Sequence, residues 1–93
     1  MKLSIRRSAE ADLAGIYQWI AKDSPANAAS VTDRILDAIE VTIPQYPLIG
    51  RSGKANGTRE FVVSGLPYVI VYEIDFPRDL VIILSVKHGA QRR

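Results

Sequence analysis

The 93-residue chain has no cysteine, one histidine, one tryptophan and one methionine. The missing cysteines exclude disulfides, thiolate metal sites and a cysteine nucleophile. One histidine, with no clustered carboxylate pair in the basic half, is too small a ligand set for a metal, so neither metal nor cofactor is expected. No apolar run approaches the roughly 18–20 residues of a membrane span. Met1–Arg7 leads into an acidic amphipathic segment, and not into the apolar core of a signal peptide. A soluble, cytoplasmic protein without membrane contact is the expectation. RSGKANGT is glycine-rich but lacks the G-K-[ST] ending of a nucleotide-binding loop. A chain this short supports one core and one domain, residues 1–93.

Net charge is only +2, yet it is unevenly spread. Residues 1–50 carry five cations and six carboxylates, whereas residues 51–93 carry seven cations and four carboxylates. The second half is therefore the basic half, suited either to a phosphate backbone or to an acidic protein; an ordinary solvated surface is equally compatible with charge alone.

The segment from Thr58 to His88 organises the rest. TREFVVS, YVIVYEI and LVIILSV are β-branched, aromatic or apolar runs separated by SGLP and DFPRD, and they predict three antiparallel strands. The runs Val69–Val71 and Leu80–Leu84 lack polar alternation, which predicts that part of the sheet is covered on both faces or pairs with a partner. Tyr68 and Tyr72 share a side with Ile70 and are expected to pack against the sheet face, base stacking being the alternative. Upstream, Lys2–Arg6 alternates and predicts a short strand able to join the sheet edge. Ser8 is a candidate N-cap for a helix over about 9–22, with Leu13, Ile16, Tyr17 and Ile20 on its buried stripe. Trp19 lies off that stripe and is expected to be partly buried, with an exposed partner contact as the alternative. Ser24-Pro25 opens a second helix that Pro44 should end. The two helices form an antiparallel hairpin laid on the sheet, and residues 44–57 read as a long loop, functional or else a plain irregular linker. The fold class is α+β: a short N-terminal strand, a helical hairpin and a three-stranded antiparallel sheet.

This order of elements, with YPLIGR leaving the second helix, GTREFVVSGLPYVIVYEI and the terminal VIILSVKHGAQRR, resembles the RelE/ParE superfamily of toxins from type II toxin–antitoxin systems. The resemblance spans essentially the whole chain. It implies a cognate antitoxin as partner and one of two activities on a common fold. RelE-like members cleave mRNA on the ribosome; ParE-like members inhibit DNA gyrase by binding. Ribosome-dependent mRNA cleavage is the first expectation and gyrase inhibition the alternative.

Metal-free RNA cleavage needs a base for the 2′-OH, cations for the phosphorane and an acid for the leaving oxygen. By resemblance, Arg59 matches an arginine that contacts the scissile phosphate, and His88 stands where such toxins place an acid–base residue. The same resemblance implies Lys54 as a supporting catalytic cation, with Arg51 and Lys87 as substrate-binding cations. Each has a plainer role open to it: His88 as a surface or capping residue, Arg59 as an ion pair with Glu60 or a rim contact for the antitoxin. Arg92 and Arg93 read as a solvated tail.

Overall fold

The structure, a computed structural model, describes residues 1–89; the tail arginines Arg92 and Arg93 lie outside the described residues. The chain runs β1 (Lys2–Ile5), α1 (Arg7–Ala21), α2 (Pro25–Asp37), a π turn (Ala38–Thr42), α3 (Ile43–Gln45), β2 (Arg51–Ser52), β3 (Thr58–Val62), β4 (Tyr68–Asp75) and β5 (Leu80–His88). The sheet has five strands in the order β1-β5-β4-β3-β2. All neighbours are antiparallel except β1 and β5, which run parallel with Lys2 opposite Leu80 and Ile5 opposite Ile83. The α+β class and the edge position of the first strand stand as expected, and a two-residue strand is added inside the expected loop.

One sheet face meets the helices. Tyr68, Ile70, Tyr72, Val81, Ile83 and Val86 form a single buried cluster with Ala9, Ile35, Ala38, Ile39 and Ile43 from the helical layer. Removing such apolar surface from water stabilises the fold by about 25 cal/mol per Å². The opposite face mixes Ser4, Glu73, Ser85 and Lys87 with Val69, Val71 and Ile82, whose strand partners place them on that side. Val69 and Ile82 are buried there although neither belongs to the main cluster. The missing polar alternation thus comes from a second face that is itself partly apolar.

Four local expectations change. Tyr17, placed on the buried stripe of the first helix, is 40% exposed. Pro44 does not end the second helix, because the π turn widens the backbone over Ala38–Thr42 and the helical path continues to Gln45. A proline lacks the N–H that an interior turn would use and its ring crowds the preceding turn, so a wider turn just before it relieves the conflict. Ser8 does not cap α1. The helix begins at Arg7, with Arg6 in the cap position making no side-chain bond, and the Ser8 hydroxyl donates to the Leu84 carbonyl at 2.5 Å. Leu84 is the extra residue where the β4–β5 register slips, between Val71 opposite Ser85 and Tyr72 opposite Ile83. There β1 has already ended, and a helix side chain takes over what a neighbouring strand would supply. Trp19, expected to be partly buried, is 69% exposed. The Lys22 ammonium sits 5.2 Å from its ring centroid.

Candidate functional site

Three features are built from these elements: a braced turn after the second helix, a basic hairpin beside it, and a groove at the far end of the sheet.

The braced turn rests on Tyr72. Its position in the central strand buries the ring completely, and its hydroxyl donates to the Pro47 carbonyl at 2.7 Å while accepting from the Gly50 amide at 2.9 Å. A phenol can do both at once, so a single side chain satisfies two backbone groups of the turn. Burial pushes the Tyr72 phenol above its usual pKa, partly offset by the Gly50 amide and the nearby Arg59 charge. Gly50 is required by close approach: a Cβ there would lie 2.6 Å from the Tyr72 hydroxyl. Arg59 lies opposite Tyr72 across the β3–β4 ladder. Its Nη1 donates to the Gly50 carbonyl at 2.7 Å and reaches the Leu48 carbonyl at 3.5 Å. The guanidinium is thus engaged with backbone oxygens of the turn.

The hairpin supplies the other cations. Arg51 is exposed and lies opposite Glu60. Lys54 is also exposed, and its amide N donates to a Glu60 carboxylate oxygen at 3.4 Å. Glu60 itself is 6% exposed, the buried charged residue of the sheet. Neighbours along a strand project to opposite faces, so Arg59 turns to the braced side and Glu60 to the other. Arg51, opposite Glu60, therefore projects to the face away from Arg59, although Arg51, Lys54 and Arg59 lie along the same hairpin.

His88 does not join them. It lies opposite Tyr68, with ring centroids 5.6 Å apart and planes at 86°, an edge-to-face contact. Tyr68 and Tyr72 are four positions apart on β4, and His88 and Arg59 lie on the strands flanking β4. At ~3.3 Å per residue and ~4.8 Å per strand, the Cα atoms of Arg59 and His88 are about 16 Å apart. Lys87, opposite Val69, is exposed on the reverse face.

His88 instead borders a groove of about 580 Å³ with Ala11, Asp12, Gly15, Ile16, Trp19, Tyr68 and Val86. Small residues at Ala11 and Gly15 open the space between α1 and β5. An Asp12 carboxylate oxygen accepts from the Val86 amide at 2.9 Å and ties the helix to the strand. Ile16, Val86 and the exposed indole of Trp19 make the groove largely apolar.

Sequence reasoning placed Arg51, Lys54 and Arg59 near one another in the chain, and the fold keeps them along one hairpin; it could not measure their separation from His88. The double role of the Tyr72 hydroxyl and the Asp12 tie were missed. Neither has a local signal, since the partners are 22 to 25 residues away in one case and 74 in the other.

A model of the family described as ParE toxin of type II toxin–antitoxin system, parDE, matches residues 3–93. Y4kP of Sinorhizobium fredii (strain NGR234), a protein named for an inferred toxin activity, is 43% identical over 77 residues, covering 83% of this chain and 76% of the relative. Among solved structures, the chromosomal ParDE toxin–antitoxin system of P. aeruginosa superposes with a TM-score of 0.76 at 22% identity, covering 95% of each chain. The RelBE2 toxin–antitoxin complex of Mycobacterium tuberculosis superposes with a TM-score of 0.64 at 22% identity, covering 94% of this chain and 88% of that one. The two structural likenesses concern the fold.

Proposed function

From its membership of the ParE toxin family of type II toxin–antitoxin systems, we propose that this chain arrests growth by binding DNA gyrase, without cleaving RNA, and is held inactive by a cognate antitoxin. The observation that carries this choice is the engagement of the Arg59 guanidinium, on which phosphate stabilisation would depend, with the Gly50 and Leu48 carbonyls of the turn. A general acid must come within hydrogen-bond reach of the oxygen it protonates, and the phosphate-binding cation must contact the same phosphoryl group. Arg59 and His88 start about 16 Å apart, and the Arg59 guanidinium already serves the Gly50 and Leu48 carbonyls. Arg59 then acts as a positioning residue for the turn. Arg51 and Lys54 act as exposed cations toward the target, and Lys87 belongs to the reverse face.

The antitoxin is assigned to the groove between α1 and β5. A concave apolar channel suits a segment that brings its own apolar side chains, and the exposed Trp19 supplies a large anchor at its rim. Trp19→Ala should leave the fold intact and weaken antitoxin binding by at least tenfold, read by calorimetry on the purified pair.

The deciding experiment adds the purified chain to two reconstituted reactions, gyrase supercoiling of relaxed plasmid and translation of a defined mRNA. Inhibition of supercoiling with intact mRNA is expected. Cleavage of ribosome-bound mRNA with gyrase unaffected refutes the proposal. His88→Ala should keep its full effect on gyrase.

A further inference from the structure

The turn that Tyr72 and Arg59 hold from inside displays apolar side chains outside. Val41, Tyr46, Leu48 and Ile49 are 51%, 59%, 60% and 47% exposed, all within nine consecutive residues. Single exposed apolar residues are ordinary, but a cluster this dense on a small domain marks an interaction surface. Much of the turn's backbone is paired: Tyr72 and Arg59 bind the Pro47, Leu48 and Gly50 polar groups, and the Ile49 amide donates to the Tyr46 carbonyl at 3.0 Å. The inward hydrogen bonding fixes the side chains outward, so the cluster is preorganised and binding need not order it.

Charge narrows the partner. From Val41 to Arg59 the sequence contains no carboxylate, and its exposed cations are Arg51 and Lys54, Arg59 being engaged with the turn's carbonyls. An apolar centre with basic residues beside it complements an apolar socket with an acidic rim. The side chains protrude and the backbone under them is rigid, so the complementary shape is a concavity on a folded protein. An antitoxin segment that orders on binding finds its channel at the other end of the sheet. Three of the four apolar residues are aliphatic, with nothing to offer a base edge or phosphate, which favours protein over nucleic acid.

We infer that Tyr46, Leu48 and Ile49, flanked by Arg51 and Lys54, form the knob by which the toxin enters an acidic-rimmed apolar socket on its folded target protein. This inference deepens the gyrase proposal and rests on it for the identity of the target. The test uses two variants of the full chain, Leu48→Ser/Ile49→Ser and Arg51→Glu/Lys54→Glu. Each is compared with wild type for growth arrest on induction, inhibition of purified gyrase, oligomeric state and co-purification with the antitoxin encoded beside it. Both variants should melt like wild type and retain the antitoxin, lose growth arrest, and need at least tenfold more protein for half-inhibition of gyrase. If the serine variant fails to fold, the charge-reversal variant decides.

Full growth arrest by a folded variant overturns the inference, whatever wild type does to gyrase. A wild-type chain that arrests growth but leaves gyrase untouched overturns the gyrase proposal by itself, and the knob then stands or falls on growth arrest in the variants. Loss of the antitoxin together with toxicity assigns the surface to the antitoxin and overturns the inference. So does a wild-type dimer that becomes a monomer in the variant, or mRNA cleavage by wild type that the variant loses. A wild-type chain that arrests nothing overturns both.

Discussion

Replacing Tyr72 by phenylalanine removes one oxygen and tests whether the braced turn is part of the folded core. That oxygen joins β4 to two backbone groups, donating to the Pro47 carbonyl and accepting from the Gly50 amide. Each bond contributes about 0.5–1.5 kcal/mol net, and Gly50 is buried, so its amide left without a partner costs a further ~1–3 kcal/mol. The void is the size of a hydroxyl, too small to admit a water that could replace it. Allowing for overlap between these terms, Tyr72→Phe should destabilise the chain by about 2–3 kcal/mol. For a domain of this size that lowers the melting temperature by roughly 8–24 °C. Urea unfolding should show a lower midpoint at unchanged slope, and the Gly50 amide should lose its protection from hydrogen exchange. Stability within ~0.5 kcal/mol of wild type, with Gly50 still protected, refutes the brace. Unchanged global stability with fast Gly50 exchange would make the turn a locally opening unit, and the rigidity invoked for the knob would fail with it.

The same phenol predicts an alkaline limit. Its folded pKa is raised, so the stability it contributes is complete below the ordinary tyrosine value near 10 and is lost as pH rises through the higher folded value. The urea midpoint should fall above about pH 10, and Tyr72→Phe should lack that tyrosine's part of the slope. Gly50→Ala places a Cβ 2.6 Å from the hydroxyl and 2.9 Å from the ring, and it should cost about 1–3 kcal/mol by overpacking, measured by thermal unfolding. Asp12→Ala leaves the Val86 amide without its charged acceptor; a loss of about 1.5–3 kcal/mol is expected, with exchange faster at Val86 than in the β3–β4 ladder. Asp79 holds a left-handed backbone at φ 55°, so Asp79→Ile should destabilise by about 1–2 kcal/mol while Asp79→Gly is neutral or better in the same assay.

Much of the architecture was legible because its causes are local. Strand runs bounded by Gly and Pro, the Ser24 cap followed by Pro25, and the alternating Lys2–Ile5 segment each act over a few residues, and each appears where it was expected. The Ser24 hydroxyl accepts from the Asn27 amide at 3.1 Å, the bond its position predicts. Tyr68 and Tyr72 were also correctly assigned to the packed sheet face, since same-side spacing with Ile70 is a two-residue rule.

Where the expectations departed from the structure, an unforeseen backbone geometry or a distant group intervened. Ser8 had an N-cap's neighbours, but the bulged Leu84 carbonyl offered its hydroxyl a partner 76 residues away. Pro44 had a helix terminator's chemistry, and the preceding π turn absorbed it. Trp19 stands 69% exposed at the rim of the groove between α1 and β5. For Arg59 the sequence established a cation at the start of a strand beside a Gly- and Pro-rich stretch, and nothing more.

By itself, then, the sequence determined the order and type of the elements, the basic second half, the carboxylate-free stretch around the turn and the family. Periodicity, turn chemistry and composition are written in consecutive residues. Only the tertiary structure decided that Arg59 holds the turn with Tyr72, that His88 stands at the opposite end of the sheet, and that Leu48 and Ile49 point outward. Those facts depend on strand order and register, which fix distances between residues far apart in the chain. The β4–β5 ladder alone sets where His88 stands relative to the braced turn.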